Sequence, residues 1–551
     1  MEPLRIIPLG GLGEFGNNMM LMEYGDSVIA IDCGLMFPGA DLLGIDIVIP
    51  DVSYLLEGKK KFHGIVLTHA HEDHMGALPY ILRQLHVPTF GTPLTLGLLR
   101  NKLREHHLEN TTELREITPG VRWELGPFKL EGIRVTHSLL HCLALAIETP
   151  VGIVIHTGDF KIDQTPMEGE MFDFQKFAAY GEKGVLLLLS DSTNVEREGH
   201  TPSEREVGKN MKELFQGCRG RIFVATFSSN IQRIQQVADL AESFGRKLIL
   251  SGRSMLKNAQ IASDLGCLRL PDAVMTDGER WQDLPRDRLV FLTTGSQGEP
   301  LSVLQRIALN DHREIKMERG DTVVLSAKFI PGNEKVITNM INRLFRRGAE
   351  VHYEKVSEIH VSGHASQEEL KTMINLTRPR YFVPIHGEYR HLVKHTRLAQ
   401  RVGVSEENCF LLENGDVLEL SSHSAARVNS VSTGKVFVDG KGVGDVEDLV
   451  IRDRRHLSED GMVLAIMAIH QQTGELAAGP DIISRGFMRA EDGQEVLEQA
   501  KALVLKTLRG ANREVRTDPS ELQEKVRKTL QRYFFKTLER RPMIVPLIME
   551  M

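Results

Sequence analysis

Residues 64–79 read GIVLTHAHEDHMGALP. A short apolar run, Ile65 to Thr68, leads directly into His69, His71, Asp73 and His74. Runs of this kind suit buried strands whose C-terminal ends carry function. His69 and His71 alternate along extended chain and so share one side. Asp73 and His74 follow where the chain turns toward a helical pattern, Leu78 to Leu85. Four ligand-type side chains therefore converge from six residues. Imidazole suits zinc, and a carboxylate can complete a second, adjacent site.

A dimetal site needs more donors, and three stand at the ends of other expected strands. His137 ends Gly132 to Thr136, Asp159 in HTGDF follows Gly152 to His156, and His386 in VPIHGE ends Tyr381 to Ile385. Each alone is an ordinary polar residue; with the H-x-H-x-D-H cluster they make a full set. His69, His71 and His137 are expected around one metal, and Asp73, His74 and His386 around the other. Asp159 is expected to bridge, since a carboxylate has two oxygens. The remaining bridging position suits a hydroxide, a nucleophile that such metals make available near neutral pH.

The whole chain bounds this reading. Its 551 residues allow three or four domains at roughly 100–200 residues each. Hydrophobic residues make up 41% and charged residues 26%, which excludes a largely disordered chain. A net charge of -7 excludes a uniformly basic nucleic-acid coat, though not a local basic groove. The five cysteines form no C-x-x-C pair, so neither a disulfide framework nor a thiolate zinc knuckle is expected. That usage suits a reducing cytoplasm. The N-terminus, MEPLRIIPLGGLGEFG, lacks the marks of a signal peptide. The strongest apolar run, Val185 to Leu189, is far short of the roughly 20 residues of a membrane span, so no membrane partner is expected.

From about residue 204 strands alternate with helices: Arg221 to Thr226, Ile231 to Phe244, Leu248 to Leu250, Met255 to Leu265, Leu289 to Thr293, Thr322 to Ser326 and Val336 to Phe345. This β-α-β-α series predicts a parallel sheet with helices on both faces. The Ser-, Gly- and Asp-rich stretch from Ser421 to Asp448 reads as a linker. Beyond it the strand Met462 to Ile469, the helices Gly493 to Leu508 and Ser520 to Leu538, and a closing apolar strand from Pro542 predict a small association module.

Three loops suit phosphate. Ser228, Ser229 and Asn230 precede a helix, TGSQGEP follows a strand, and Ser362, Gly363, His364, Ala365 and Ser366 precede another helix. Such loops present backbone N–H groups to an anion, and three together favour a phosphate-rich polymer. Arg253, Arg280 and Lys328 are candidates for added positive charge. Phe37 in GLMFPG is a candidate for stacking on a base, set against an ordinary core role. The segment Arg378 to Arg401 is either an RNA-tracking face or a solvated helix. Gly11, Gly13 and Gly16, with Asp32 beyond them, spell a dinucleotide fingerprint. The following segment, Met19 to Tyr24, reads as a hairpin strand rather than the helix that fingerprint needs, so a tight turn near the metals is expected.

HAHEDH, His137, HTGDF and the later histidine resemble the metallo-β-lactamase fold. The insert from about 204 to 355 is similar to the β-CASP domain of nucleases, with Asp191 in SDSTN, His364 in VSGHAS and His386 in PIHGE at that family's three motifs. GGLGEFGNN, FSSNIQRIQQ, SGRSM, TGSQGEP, PDIISRGF and RPMIVPLIMEM resemble the bacterial ribonuclease J family over essentially the whole chain. The resemblance implies an α/β protein. Residues 1–203 and 355–425 would form an αββα metallo-β-lactamase sandwich and 204–354 a β-CASP insert. Residues 426–460 would be a linker and 461–551 an α+β C-terminal association domain. It implies two Zn2+ per chain, with Mn2+ or Mg2+ as alternatives in activity. It implies 5′→3′ exonuclease action preferring a 5′-monophosphate, endonuclease cuts as well, and roles in mRNA decay and rRNA maturation. Catalytic roles fall to Asp73, Asp191 and His364, with Asp191 orienting His364. Single-stranded RNA, a homodimer or homotetramer and RNA-decay complexes are the expected partners. Two rivals remain: a related hydrolase acting on DNA or a small ester or lactam, and a non-catalytic RNA-binding scaffold. One departure from the family pattern is Ser138 to Cys142, where His141 or Cys142 could approach a metal or serve only in packing.

Overall fold

Val185–Asp191 is buried at all seven positions and pairs in parallel with Ile153–His156 on one side and Tyr381–Ile385 on the other. A strand covered on both faces needs an unbroken apolar run, and Val185 to Leu189 supplies one, with buried Ser190 and Asp191 at its C-terminal end. These strands belong to a six-stranded sheet completed by Leu143–Glu148, Phe128–Arg134 and Arg122–Leu125. The computed structural model describes residues 2–551 apart from 40, 59, 168–170, 277–279, 331–332, 354–358 and 447, and no side chain at 280 or 490–492.

An eight-stranded sheet faces the first. Its order is Ala425–Ser430, Asp416–Leu420, Leu4–Gly10, Met19–Tyr24, Ser27–Ile31, Lys61–Val66, Thr89–Gly91 and Leu114–Glu116. Ile6, Met22, Ile29, Ile31 and Val66 from this sheet meet Leu145, Ile147, Val154, Leu187 and Val383 from the other in one core. The helices Phe174–Lys183, Gln367–Thr377 and Tyr389–Arg401 pack together beside the six-stranded sheet. The metallo-β-lactamase sandwich is therefore present. The expected helix Leu78 to Leu85 is shorter than its pattern, ending at Ile81, and a separate short helix, Glu72–Met75, precedes it.

The insert carries five parallel strands in the order Lys247–Ser251, Leu289–Thr293, Ile222–Ala225, Thr322–Leu325 and Glu350–His352. Its helices include Glu204–Gly217, Ile231–Ser243, Arg253–Asp264 and Glu334–Arg346. Both sandwich and insert lie in one compact unit, Met1–Phe37 with Ile47–Val436. A second unit, Pro38–Asp46 with Phe437–Met551, holds a sheet of Leu476–Arg485, Met462–Ile469 and Met543–Glu550. Helices Ala490–Arg509 and Pro519–Leu538 pack around Val463, Val504, Val526 and Phe534 in its core.

The stretch read as a linker carries regular structure. Ala425–Ser430 is an edge strand on Asp416–Leu420, and Asp448–Asp460 is a helix against the closing strand. Its Ser, Gly and Asp residues mark turns between these elements, and the alternation of Ala425–Ser430 is masked by the turn-forming residues around it. Among the described residues no helix is long and apolar enough to cross a membrane.

A buried ion network ties the insert to the sandwich. Arg233 is fully buried on the helix Ile231–Ser243. It donates to Glu204 Oε2 at 2.6 Å, to Ser326 Oγ, and to the Ile359 carbonyl at 2.9 Å. Lys161 Nζ lies 3.7 Å from Glu204 Oε1. Removing one partner of a buried pair leaves an uncompensated charge. Arg233→Ala should therefore destabilise the unit by about 3–5 kcal/mol, read as a lower urea midpoint against wild type. An unchanged midpoint would show that this network contributes nothing.

Candidate metal centre

Every donor that the sequence singled out stands at the C-terminal end of a strand or just beyond it. His69 and His71 follow Lys61–Val66, and Asp73 and His74 lie on the helix Glu72–Met75. His137 follows Phe128–Arg134, Asp159 follows Ile153–His156, and His386 follows Tyr381–Ile385. The folded chain brings all seven together. His69, His71, His137 and Asp159 present one ligand atom each within 4.8 Å of one another, as do Asp73, His74, Asp159 and His386.

The individual distances fit a cation. His71 Nδ1 lies 3.0 Å from His69 Nε2 and 3.1 Å from His137 Nε2. In the second group His74 Nε2 is 3.2 Å from Asp159 Oδ2, and His386 Nε2 is 3.2 Å from Asp73 Oδ2 and 3.5 Å from Asp159 Oδ2. Donors at 2.0–2.1 Å around a tetrahedral zinc stand about 3.3 Å apart. Three imidazole nitrogens turned toward one point offer lone pairs that only a cation or shared protons can satisfy. The donor set thus fits metal, with Asp159 common to both groups.

Hydrogen bonds from the far side orient each ring. His74 Nδ1 donates to Asp32 Oδ2 at 2.8 Å, and His137 Nδ1 donates to the Gly363 carbonyl at 2.7 Å. A Cβ on Gly363 would lie 2.6 Å from His137 Cε1, so only glycine allows this approach. His69 Nδ1 meets Thr68 Oγ1 at 3.0 Å, and His386 Nδ1 meets Thr193 Oγ1 at 2.7 Å. Partners of this kind set ring orientation and tautomer. Asp32, Thr68 and Thr193 are missing from the sequence reading of the site. Asp32 had a usable signal, as the polar end of the apolar run from Val28.

The two groups differ electrostatically. Burial, helped by neighbouring imidazoles, holds His69 and His137 well below the ordinary histidine range. Burial also pushes His71 down to about 4. Burial opposes the proton on His74 and His386 too, but Asp159 and the other carboxylates outweigh it and hold both well above that range.

His364 Nδ1 donates to Asp191 Oδ2 at 2.8 Å. Burial works to raise the Asp191 carboxyl, yet the His364 ring beside it keeps it below the usual carboxylate range. Asp159, Asp191, His364 and His386 form a third donor group. Ser362 Oγ accepts from Asn194 Nδ2 at 2.7 Å, and Ser366 caps the helix Gln367–Thr377 while bonding Thr201 Oγ1 at 2.9 Å. Both hydroxyls are engaged in holding their loop. Ala365 is buried. Ser228 accepts from Asn258 Nδ2 at 3.3 Å, Ser229 is half-buried, and Asn230 caps the helix Ile231–Ser243. Arg253 is exposed, Lys328 is half-buried, and the Arg280 side chain lies outside the described residues. Phe37 is 62% exposed, which excludes the core role. The buried residue of that loop is Leu35.

His141 Nε2 contacts Cys267 Sγ at 3.8 Å, and buried Cys142 bonds to the Leu139 carbonyl. Among the described residues neither belongs to a donor group. In the basic segment, Arg390 pairs with Glu388, Lys394 with Glu196, and Arg380 donates to the carbonyls of Ser422 and His423. Those three charges are already engaged within the chain. The glycine-rich N-terminal segment is not the tight turn expected: it is a longer connection between Leu4–Gly10 and Met19–Tyr24 that carries the two-residue strand Leu12–Gly13, paired in parallel with Gly387–Glu388. Asn18 beyond it donates to the Asp73 carbonyl at 2.9 Å and lies 3.2 Å from His74 Nε2.

Four family models match the chain. The metallo-β-lactamase superfamily matches residues 12–186, the ribonuclease J β-CASP domain 219–344, the Zn-dependent metallo-hydrolase RNA specificity domain 348–412, and the ribonuclease J C-terminal domain 449–551. Ribonuclease J of Thermus thermophilus is 42% identical over 100% of this chain and 96% of its own length. The chain belongs to the ribonuclease J family. Ribonuclease J 1 of Streptococcus pyogenes is 40% identical over 99% of this chain and 97% of its own length. Ribonuclease J2 of Bacillus subtilis is 39% identical over 100% and 99%. A solved Enterococcus faecalis protein of unknown function covers 76% of this chain and 100% of its own at a TM-score of 0.54. At 17% identity it shares the fold alone.

The contrast between the two groups predicts their pH dependence. His74 and His386 hold protons at neutral pH that a metal must displace, whereas His69, His71 and His137 are already neutral. Apparent zinc affinity of the Asp73–His74–His386 group should fall on going from pH 8 to pH 6, by about tenfold per pH unit for each proton displaced. The His69–His71–His137 group should change far less over that window. Chelator competition at several pH values measures both.

Proposed function

We propose that this member of the ribonuclease J family, a metal-dependent ribonuclease, holds two Zn2+ and cleaves single-stranded RNA from its 5′ end, with endonucleolytic cuts as well. The observation that carries the reading is the shared Asp159 carboxylate, common to two four-donor groups, with the Asp191–His364 pair beside them. His69, His71 and His137 would hold one ion, Asp73, His74 and His386 the other, and Asp159 both. When bound, the ions supply Lewis acidity toward a phosphoryl oxygen and make water nucleophilic near neutral pH.

The chain's own groups then do the rest. Asp191 accepts a hydrogen bond from the Nδ1–H of His364, which leaves Nε2 as the working nitrogen. From there His364 can contact a phosphate oxygen or protonate the leaving oxygen. Helix N-termini of the insert, at Ile231 and Arg253, follow the C-terminal ends of parallel strands and suit a terminal phosphate. Ser228, Ser229, Asn230, Arg253 and Arg280 are the proposed contacts there, with backbone groups of residues 362–366 nearer the metals. Exposed Phe37 is proposed to stack on a base.

In this reading residues 1–203 and 355–425 carry the chemistry, 204–354 grips the RNA, and 461–551 joins subunits into a homodimer or homotetramer. Action in the cytoplasm on mRNA decay and rRNA maturation, with decay-complex partners, belongs to the same proposal. Labelled single-stranded RNA, single-stranded DNA and nitrocefin, each offered with zinc or manganese, test it. Cleavage confined to RNA is expected, and inertness toward RNA would sink the reading.

Two further outcomes are expected. His364→Ala should retain both metals yet lose roughly a hundredfold or more in rate, the usual worth of a general acid–base or positioning group. Metal content halved in that variant would make His364 a ligand instead. RNA bearing a 5′-monophosphate should be degraded faster than the same RNA with a 5′-triphosphate or 5′-hydroxyl. Extra phosphates would be desolvated without partners, and a hydroxyl would leave the pocket's donors unpaired. Rates compared at one salt concentration decide it, and equality across the three ends would remove the exonuclease half of the proposal.

A further inference from the structure

Two carboxylates beside the metal centre use a threonine in the same way. Asp191 Oδ1 accepts from the Thr193 backbone N–H at 2.9 Å and from Thr193 Oγ1 at 2.8 Å. Its other oxygen accepts from His364 Nδ1 at 2.8 Å. Thr193 Oγ1 also lies 2.7 Å from His386 Nδ1. On the other side of the centre, Asp32 accepts from Thr68 Oγ1 at 2.9 Å and from the Thr68 backbone N–H at 2.8 Å. Its Oδ2 accepts from His74 Nδ1 at 2.8 Å, and Thr68 Oγ1 lies 3.0 Å from His69 Nδ1.

A hydroxyl has one proton. In each case the carboxylate is the strongest acceptor within reach, because charge-assisted bonds are shorter and stronger. For Thr193 the alternative acceptor, the His386 carbonyl, is 3.4 Å away and already takes the Ser192 N–H. Each threonine hydroxyl therefore donates its hydrogen bond to aspartate and must accept one from the ring Nδ1–H. His386 and His69 thus keep Nδ1–H outward, which leaves Nε2 as the nitrogen that faces inward and that a metal would take.

We propose that Thr193 and Thr68 are positioning residues, one for each metal group, that fix the tautomer of His386 and His69 through Asp–Thr–His relays. The inference rests on the proposed metal centre and adds a coupling within it. Asp191 sets His364 directly and His386 through Thr193, so one carboxylate orients both the phosphate-side histidine and a metal-side histidine. Asp32 joins the two metal groups in the same manner, through His74 directly and His69 through Thr68. Neither threonine is itself a metal donor.

The test reads zinc binding without RNA. Wild type, Thr193→Val and Thr193→Ser are titrated against a chelator of graded strength, with far-UV circular dichroism and urea midpoints as controls for folding. Thr193→Val should weaken one of the two zinc ions tenfold or more, in the range that partners of metal-bound histidines command. Thr193→Ser, which keeps the hydroxyl, should lie within about threefold of wild type. Thr68→Val should weaken the other ion instead. If Val does not fold, Thr193→Ala carries the same comparison against Ser. Zinc affinity in Thr193→Val within twofold of wild type would overturn the inference. So would equal losses in the Val and Ser variants, since that would mark a steric role. A chain that cleaves no RNA but shows the Thr193 effect would sink the proposed activity and leave the relays standing.

Discussion

Asp159 is a carboxylate at 2% exposure with five imidazoles around it. Its Oδ2 lies 3.2 Å from His74, 3.5 Å from His386, 3.8 Å from His69, 3.9 Å from His364 and 4.0 Å from His137. A buried charge is tolerated only when paired or coordinated. Here the pairing groups arrive from both sheets of the sandwich, so the packing of the two sheets and the neutralisation of this one charge are the same problem. Imidazole solves it because it can be neutral, as His69, His71 and His137 are held, or charged, as His74 and His386 are held. A cation can replace those protons with little change in the positions of the donors.

The parallel strands explain how the donors meet. Ile153–His156, Val185–Asp191 and Tyr381–Ile385 run side by side, with His156 opposite Leu189 and Asp191 opposite Ile385. Their C-terminal ends therefore fall in one row, and Asp159, Asp191 and His386 are neighbours despite long separations in the chain. The loop 359–366 closes the other side. It is tied to the insert by Ser326 and Arg233, which both bond the Ile359 carbonyl, and to the sandwich by Gly363 against His137. The same segment that carries His364 thus bonds to both parts of the unit. A substitution in the Arg233–Glu204 network should be felt at the site through it.

Much of this was legible in the chain alone. Metal donors are restricted to a few residue types, and a strand followed by a turn places them at fixed short spacings, so H-x-H-x-D-H, HTGDF and PIHGE announce themselves. The β-α-β-α rhythm of the insert and the elements of the C-terminal module are likewise local patterns of burial, and the structure has them within a residue or two in most cases. Where local pattern was ambiguous the reading went astray. Turn-forming residues around 421–448 hid the edge strand Ala425–Ser430, and Phe37 was an aromatic without a visible face.

Sequence by itself determined the fold class and which side chains can hold metal, because both follow from residue type and short-range periodicity. Tertiary structure alone decided which groups hold those side chains in place. Thr193 meets His386 across 193 residues, and Gly363 meets His137 across 226. It also decided that Ser362 and Ser366 serve their loop, and that Lys394 answers Glu196. A hydrogen bond needs its partner within about 3 Å and well aligned. No spacing along the chain encodes that for residues so far apart; the parallel pairing of Val185–Asp191 with Tyr381–Ile385 and the packing of the loop 359–366 against His137 bring them within reach.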